Sequence, residues 1–90
     1  MRVARHFLIS GRVQGVGYRY FAKDAADREG VTGWVRNLPD GSVETLVEGD
    51  AAAVEGYLDR LRRGPSASRV DGVVVEEKAE EGHSTFEITR

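Results

Sequence analysis

The chain of 90 residues has no cysteine, which excludes disulfide staples, thiolate metal centres and cysteine nucleophiles. Its two histidines, His6 and His83, stand almost a chain length apart with no cluster of ligand-type residues around either, which argues against a metal site or a histidine base. No apolar run approaches the ~20 residues of a membrane-spanning helix. The opening Met1-Arg2-Val3-Ala4-Arg5-His6 lacks the apolar stretch of a secretory signal, so a cytoplasmic location is expected. Neither sign of charge dominates: 13 Lys and Arg against 15 Asp and Glu leave a net −2. Such a balance gives no general attraction to nucleic acid or anionic lipid, so any anion must be held by a local site.

The remaining composition, 40% apolar and 31% charged residues, is that of an ordinary globular protein, and the length suits one domain over residues 1–90. A strand is expected over residues 3–13, with Phe7, Ile9 and Val13 on one face. From Tyr18 the apolar positions 18, 21, 22, 25 and 26 trace one side of a helix, flanked by the charge pairs Lys23–Asp27 and Asp24–Arg28 and stopped by Gly30. Val31 to Leu38 and Ser42 to Glu48 read as a hairpin across the turn residues Pro39-Asp40-Gly41.

Asp50 can cap a second helix that buries Ala51, Val54, Tyr57, Leu58 and Leu61 and ends at Gly64-Pro65, with Arg60, Arg62 and Arg63 on the dipole's negative end. Gly56 is the weak point of that helix, and its tolerance implies a close approach by another backbone. Strands through Val70 to Val75 and around Phe86 and Ile88 follow, separated by a charged, solvated stretch from Glu76 to Ser84. The order predicts an α+β fold of ferredoxin-like type, β-α-β-β-α-β, with two helices on one face of an antiparallel sheet and an extra C-terminal strand.

Chemistry concentrates in Gly11-Arg12-Val13-Gln14-Gly15-Val16-Gly17-Tyr18-Arg19, a glycine-rich loop running into a helix with an arginine on its first turn. Glycines at 15 and 17 let successive N–H groups point inward as an anion-binding nest, and the helix N-terminus adds its positive dipole end. Arg19 can meet two anionic oxygens with one planar fork. The loop is neither a Walker loop, lacking Gly-Lys-Ser/Thr, nor a dinucleotide fingerprint, since Tyr20 stands where the third glycine would be. Asn37, in phase with Gly33 and Val35 near the end of the second strand, could be aimed at the same loop, whereas Trp34, Arg36 and Leu38 point to the other face. Trp34 and Tyr57 are assigned to packing, and Arg36 at most to steering at the rim.

The segment Val13-Gln14-Gly15-Val16-Gly17-Tyr18-Arg19 resembles the phosphate-binding signature of the acylphosphatases. Gly33-Trp34-Val35-Arg36-Asn37-Leu38-Pro39-Asp40-Gly41-Ser42-Val43, followed by Gly49, resembles that family's second signature, and the likeness continues through Arg69-Val70-Asp71 to Phe86-Glu87-Ile88. The resemblance implies metal-free, cofactor-free hydrolysis of an acyl phosphate to a carboxylate and inorganic phosphate by a monomer. It implies that Gln14, Gly15, Val16, Gly17, Tyr18 and Arg19 bind phosphate and that Asn37 positions the water.

Two positions depart from the family pattern. Tyr18 replaces the usual phenylalanine, which would add a hydroxyl near the site rim, and Ala22 replaces a common hydroxyl residue, which would remove a polar neighbour of the site. Other hosts of this fold are disfavoured. An RNA-recognition module needs its aromatic Lys/Arg-Gly-Phe/Tyr-Gly/Ala-Phe strand, and a metal chaperone needs Cys-x-x-Cys. The remaining rivals are a non-catalytic anion-binding module and a piece of a larger enzyme.

Overall fold

A computed structural model describes residues 1–90. The first strand, β1 (Arg2–Arg12), is an interior strand of the five-stranded sheet. Phe7 and Ile9 are wholly buried on its helix-covered face, and Val13, in phase with them along the chain, is buried there as well. Helix α1 (Tyr18–Glu29) buries Tyr18, Ala22, Ala25 and Ala26 and ends on Gly30. Strands β2 (Thr32–Asn37) and β3 (Val43–Asp50) form the expected hairpin. The Asp50 carboxylate caps α2 (Ala51–Arg63) by accepting from the Ala52 N–H at 3.2 Å. Strand β4 (Arg69–Lys78) and the short β5 (Phe86–Ile88) complete the order β4-β1-β3-β2-β5. All pairings are antiparallel except that of β5, which lies parallel to β2, so the extra strand makes the sheet mixed.

Both helices cover one face, and the core between them and the sheet is built on Phe7, Ile9, Tyr57, Leu61, Val35 and Val47, none of them measurably exposed. Burying each such side chain contributes about 1.5–3 kcal/mol. The core also holds a satisfied polar chain. Thr45 Oγ1 donates to the Trp34 carbonyl at 2.8 Å, so the Tyr57 hydroxyl must donate to Thr45 Oγ1, also at 2.8 Å. Gly56 is approached by the Glu29 carboxylate, which pairs with Arg60 at 2.7 Å, and not by a backbone as the sequence led us to expect. A helix-helix ion pair thus uses the space that a Cβ would fill.

The charged stretch after Val75 differs from expectation in a second way. Strand β4 continues through Glu76, Glu77 and Lys78, and the loop that follows has exposed side chains but a tethered backbone. Glu48, on the sheet face away from the helices and only 1% exposed, accepts from the N–H groups of Glu81, Gly82 (3.1 Å) and His83 (2.9 Å). Burial alone would raise the Glu48 carboxyl out of its ordinary range. The three amides outweigh that and hold it lower, because each favours the ionised form. Trp34 shares this helix-free face. It is half-buried, with His6 edge-on at 6.4 Å and the Arg36 guanidinium 5.4 Å above its ring, so it packs outside the main core.

Glu48→Gln replaces one acceptor oxygen by an NH2 that faces backbone donors, and should lower the unfolding free energy in urea by about 1–3 kcal/mol. The folded-state carboxyl is held below its ordinary range, so its contribution is present above that range and lost as the pH falls through the lowered pKa. The gap between variant and wild type should therefore narrow in unfolding curves recorded below about pH 4.5.

Candidate functional site

The chain between β1 and α1 is a ledge of unused donors. Gly15 (φ 73°) and Gly17 (φ 77°, ψ 21°) are left-handed, and a Cβ on either would meet no atom within 4 Å. Glycine is required there for conformation and not for room. No N–H of residues 13–17 makes a hydrogen bond within the protein. The N–H groups of Tyr18, Arg19 and Tyr20 open the helix, ahead of its first bond from Phe21 to the Gly17 carbonyl at 3.0 Å. No side chain caps this end, and no acidic residue lies in the first turn to compensate the dipole.

These residues border a cavity of about 120 Å³, lined by Val13, Gly15, Gly17, Tyr18, Arg19, Tyr20 and Asn37. That is well below the ~300–1,000 Å³ of a typical small-molecule pocket and suits a small anion better than a nucleotide. The Arg19 side chain carries the only formal charge on its wall. Four arginines are half-buried: Arg5, Arg19, Arg36 and Arg60. Arg5 pairs with Glu55 and Glu77, Arg36 with Glu44 and Arg60 with Glu29, each at 2.6–2.7 Å. Arg19 has no carboxylate partner.

Asn37 ends β2 opposite Val43 of β3, on the face shared by the buried Val35. Its carboxamide makes no hydrogen bond within the protein, and Oδ1 is a buried acceptor without a donor. Leaving such a group unpaired costs about 1–3 kcal/mol, and native proteins carry few of them. An unpaired cation, unpaired backbone donors and an unpaired acceptor therefore meet at one cavity. Together they can hold a tetrahedral anion and, beside it, a molecule that donates a hydrogen bond.

Of the six residues expected to bind phosphate, Gly15, Gly17, Tyr18 and Arg19 line this cavity. The side chains of Gln14 and Val16 do not. Gln14 turns its amide away and donates to the carbonyls of Leu38 (2.7 Å) and Ser42 (2.9 Å), tying the loop to the β2–β3 turn, while Val16 packs against the core. That turn is braced further by Asp40, which accepts from the Ser42 N–H at 2.9 Å and from its hydroxyl, so its carboxyl is held low.

Both departures from the family pattern fall elsewhere than the sequence suggested. The Tyr18 hydroxyl is not at the rim; it reaches into the core and donates to the Leu61 carbonyl in the last turn of α2 at 2.7 Å, and burial pushes its pKa well up. Ala22 is completely buried in the core and does not line the cavity. Arg36 faces Glu44 and Trp34 on the opposite side of the sheet, as its phase required. Neither histidine touches the cavity: His6 bonds Glu44 and His83 bonds Glu81.

Tyr20, which also lines the cavity, had not been singled out. Its position off the apolar stripe 18, 21, 22, 25 and 26 was the available signal, because an aromatic there cannot reach the core.

The acylphosphatase family profile matches residues 5–88. The acylphosphatase of Methylococcus capsulatus is 54% identical over 80 residues, covering 89% of this chain and 87% of that protein. That of Gloeobacter violaceus is 47% identical over 88 residues, covering 98% and 95%. The crystal structure of an acylphosphatase from Bacillus subtilis superposes with a TM-score of 0.96 at 38% identity over the whole of both chains. Full-length HypF, in its phosphate- and nucleotide-bound form, contains a similar unit: TM-score 0.89 and 28% identity over all of this chain but 12% of that one. By the extent of the profile match and the identity to full-length relatives, this chain belongs to the acylphosphatase family.

Proposed function

We propose that the protein hydrolyses the carboxyl-phosphate bond of acyl phosphates by in-line attack of a water held by Asn37 on a phosphoryl group bound by the 14–19 loop and Arg19. The observation that carries this reading is the pairing of Arg19 and Asn37 as unpartnered polar groups on one small cavity. A phosphoryl dianion supplies what Arg19 and the free amides lack, and a water donating to Asn37 Oδ1 supplies what the carboxamide lacks.

The chemistry needs little else. In an acyl phosphate the leaving group is a carboxylate of low pKa, so no general acid is required, and the cavity wall has no carboxylate, histidine or thiol. The water oxygen bonds to phosphorus as the bridging P–O bond breaks, and the electron pair leaves with the carboxylate. Both water hydrogens stay with the product, so an acyl phosphate dianion and water give a carboxylate and dihydrogen phosphate. Catalysis then consists of placing the two reactants and neutralising charge on the equatorial oxygens. The reading calls for no metal ion, and the proposed substrate partner is the acyl phosphate alone.

Arg19→Ala should nearly abolish phosphate release from benzoyl phosphate and also weaken competitive inhibition by inorganic phosphate. Arg19→Lys should rescue little, since an ammonium offers a point charge in place of a planar fork. Asn37→Ala should lower kcat by about 10²–10³ while the phosphate inhibition constant stays close to wild type. Steady-state kinetics with phosphate as inhibitor separates the two roles, and an Asn37→Ala enzyme at wild-type rate would remove the water-positioning assignment. Turnover by the purified chain should persist in excess EDTA; loss on chelation, restored by a divalent ion, would replace the metal-free scheme. Absence of hydrolysis altogether would favour a non-catalytic anion-binding module.

A further inference from the structure

The chain has seven aromatic side chains of the Phe, Trp and Tyr type. Six of them have an aromatic neighbour inside the fold: Phe7 and Phe86 against Tyr57, Tyr18 against Phe21, and Trp34 against His6. Tyr20 alone has none. It is 71% exposed, its hydroxyl makes no hydrogen bond, and yet it borders the cavity that holds Arg19 and Asn37. A large, mostly exposed aromatic side chain with no aromatic or hydrogen-bond partner is a candidate for contact with a ligand.

Helix geometry says which way it leans. Gly17 is the N-cap, so Tyr20 is the third residue of α1, and side chains on a helix tilt toward its N-terminus. Tyr20 stands two residues, or about 200°, around the helix from the buried Tyr18, so it leans back over the loop on the solvent side of the cavity. The cavity, at about 120 Å³, takes the phosphoryl group and leaves the acyl group to project outward. On the loop side Gly15 and Gly17 present no side chain, and open space lies where a Cβ on either would stand.

We infer that the ring of Tyr20 is the acyl-side contact of the site and favours acyl phosphates with a flat, apolar aromatic acyl group over small aliphatic ones. The inference rests on the acyl-phosphate hydrolase reading above. No carboxylate or further cation lines the opening, so the contact is of ring face on acyl group and not of charge on charge.

The test measures kcat/KM for benzoyl phosphate and acetyl phosphate with wild type, Tyr20→Ala and Tyr20→Phe. In Tyr20→Ala the benzoyl-over-acetyl preference should fall about 3–10-fold, the range of one aromatic contact, chiefly through a higher KM for benzoyl phosphate. Tyr20→Phe should keep the wild-type preference to within about twofold, because it retains the ring face. The unfolding midpoint of Tyr20→Ala should lie close to wild type, since the side chain is largely exposed and lies outside the core. An unchanged preference in Tyr20→Ala would overturn the inference while leaving the hydrolase reading intact. Equal loss in Tyr20→Phe and Tyr20→Ala would assign the contact to the hydroxyl and overturn the ring-face claim. Wild-type protein inactive on both compounds would overturn the hydrolase reading and this inference with it.

Discussion

Two hydrogen bonds from the Gln14 amide hold the site together. The N–H groups of residues 13–17 are unbonded, so nothing in the loop's own backbone fixes it to the sheet. The Gln14 side chain does so by donating to Leu38 and Ser42, one residue beyond Asn37 and one residue before β3. On the other side the Tyr18 hydroxyl ties the start of α1 to the last turn of α2. Between these anchors Val13 is buried and Val16 half-buried, so side chains 13, 14, 16 and 18 fasten the loop while the glycines at 15 and 17 stay exposed. A loop pinned by its side chains can leave its amides free for a ligand without becoming slack, which is the condition for preorganised electrostatic binding.

The same backbone chemistry appears twice with opposite outcomes. At Glu48 three consecutive N–H groups close on a carboxylate supplied by the protein, and the result is a structural clamp across the helix-free face. At residues 14–19 the amides point at space, no acidic residue sits in the first helical turn, and the nearest half-buried cation is left unpaired. Had a carboxylate stood near Arg19, as one stands near Arg5, Arg36 and Arg60, the fold would gain an ion pair and the site would lose its vacancy for an anion. The core of fully buried aliphatic and aromatic side chains offsets the cost of these unsatisfied groups, and function draws on that margin.

Periodicity and punctuation made the elements legible. The stripe at 18, 21, 22, 25 and 26, the Asp50 cap and the Pro39-Asp40-Gly41 turn each state a local rule, and the helices and hairpin follow them. Strand phase was enough to put Asn37 and Arg36 on opposite faces. What escaped the sequence depends on contacts between residues far apart in it. Gln14 reads as a loop residue until the turn 24 positions later is brought beside it, and the Tyr18 hydroxyl reads as solvent-facing until α2 packs over it. Glu48 reads as the charged end of a strand until residues 81–83 fold across it, and Gly56 as a defect until Glu29 arrives. The parallel placement of β5 was equally hidden, because a three-residue strand carries too little pattern to show which edge it joins.

A site with neither acid nor base on its wall places unusual weight on geometry. General acid-base catalysis tolerates some misplacement, because a proton can travel through an intervening water, whereas in-line displacement depends on the angle between attacking and leaving oxygens. Arg19 and the loop amides belong to one unit, the end of β1 with the start of α1. Asn37 belongs to another, the β2–β3 hairpin. In the proposed reaction the angle of attack would be set by how those units are joined, and they are joined by β3, which pairs with β1 and β2 at once, and by Gln14. Strand β3 fixes the coarse separation through eight register pairs with β1 and six with β2, and the glutamine ties the two units together at the end that carries the cavity. On the proposed mechanism, catalytic precision in so small a protein would come from placing Arg19 and Asn37 at the same end of neighbouring, mutually registered elements.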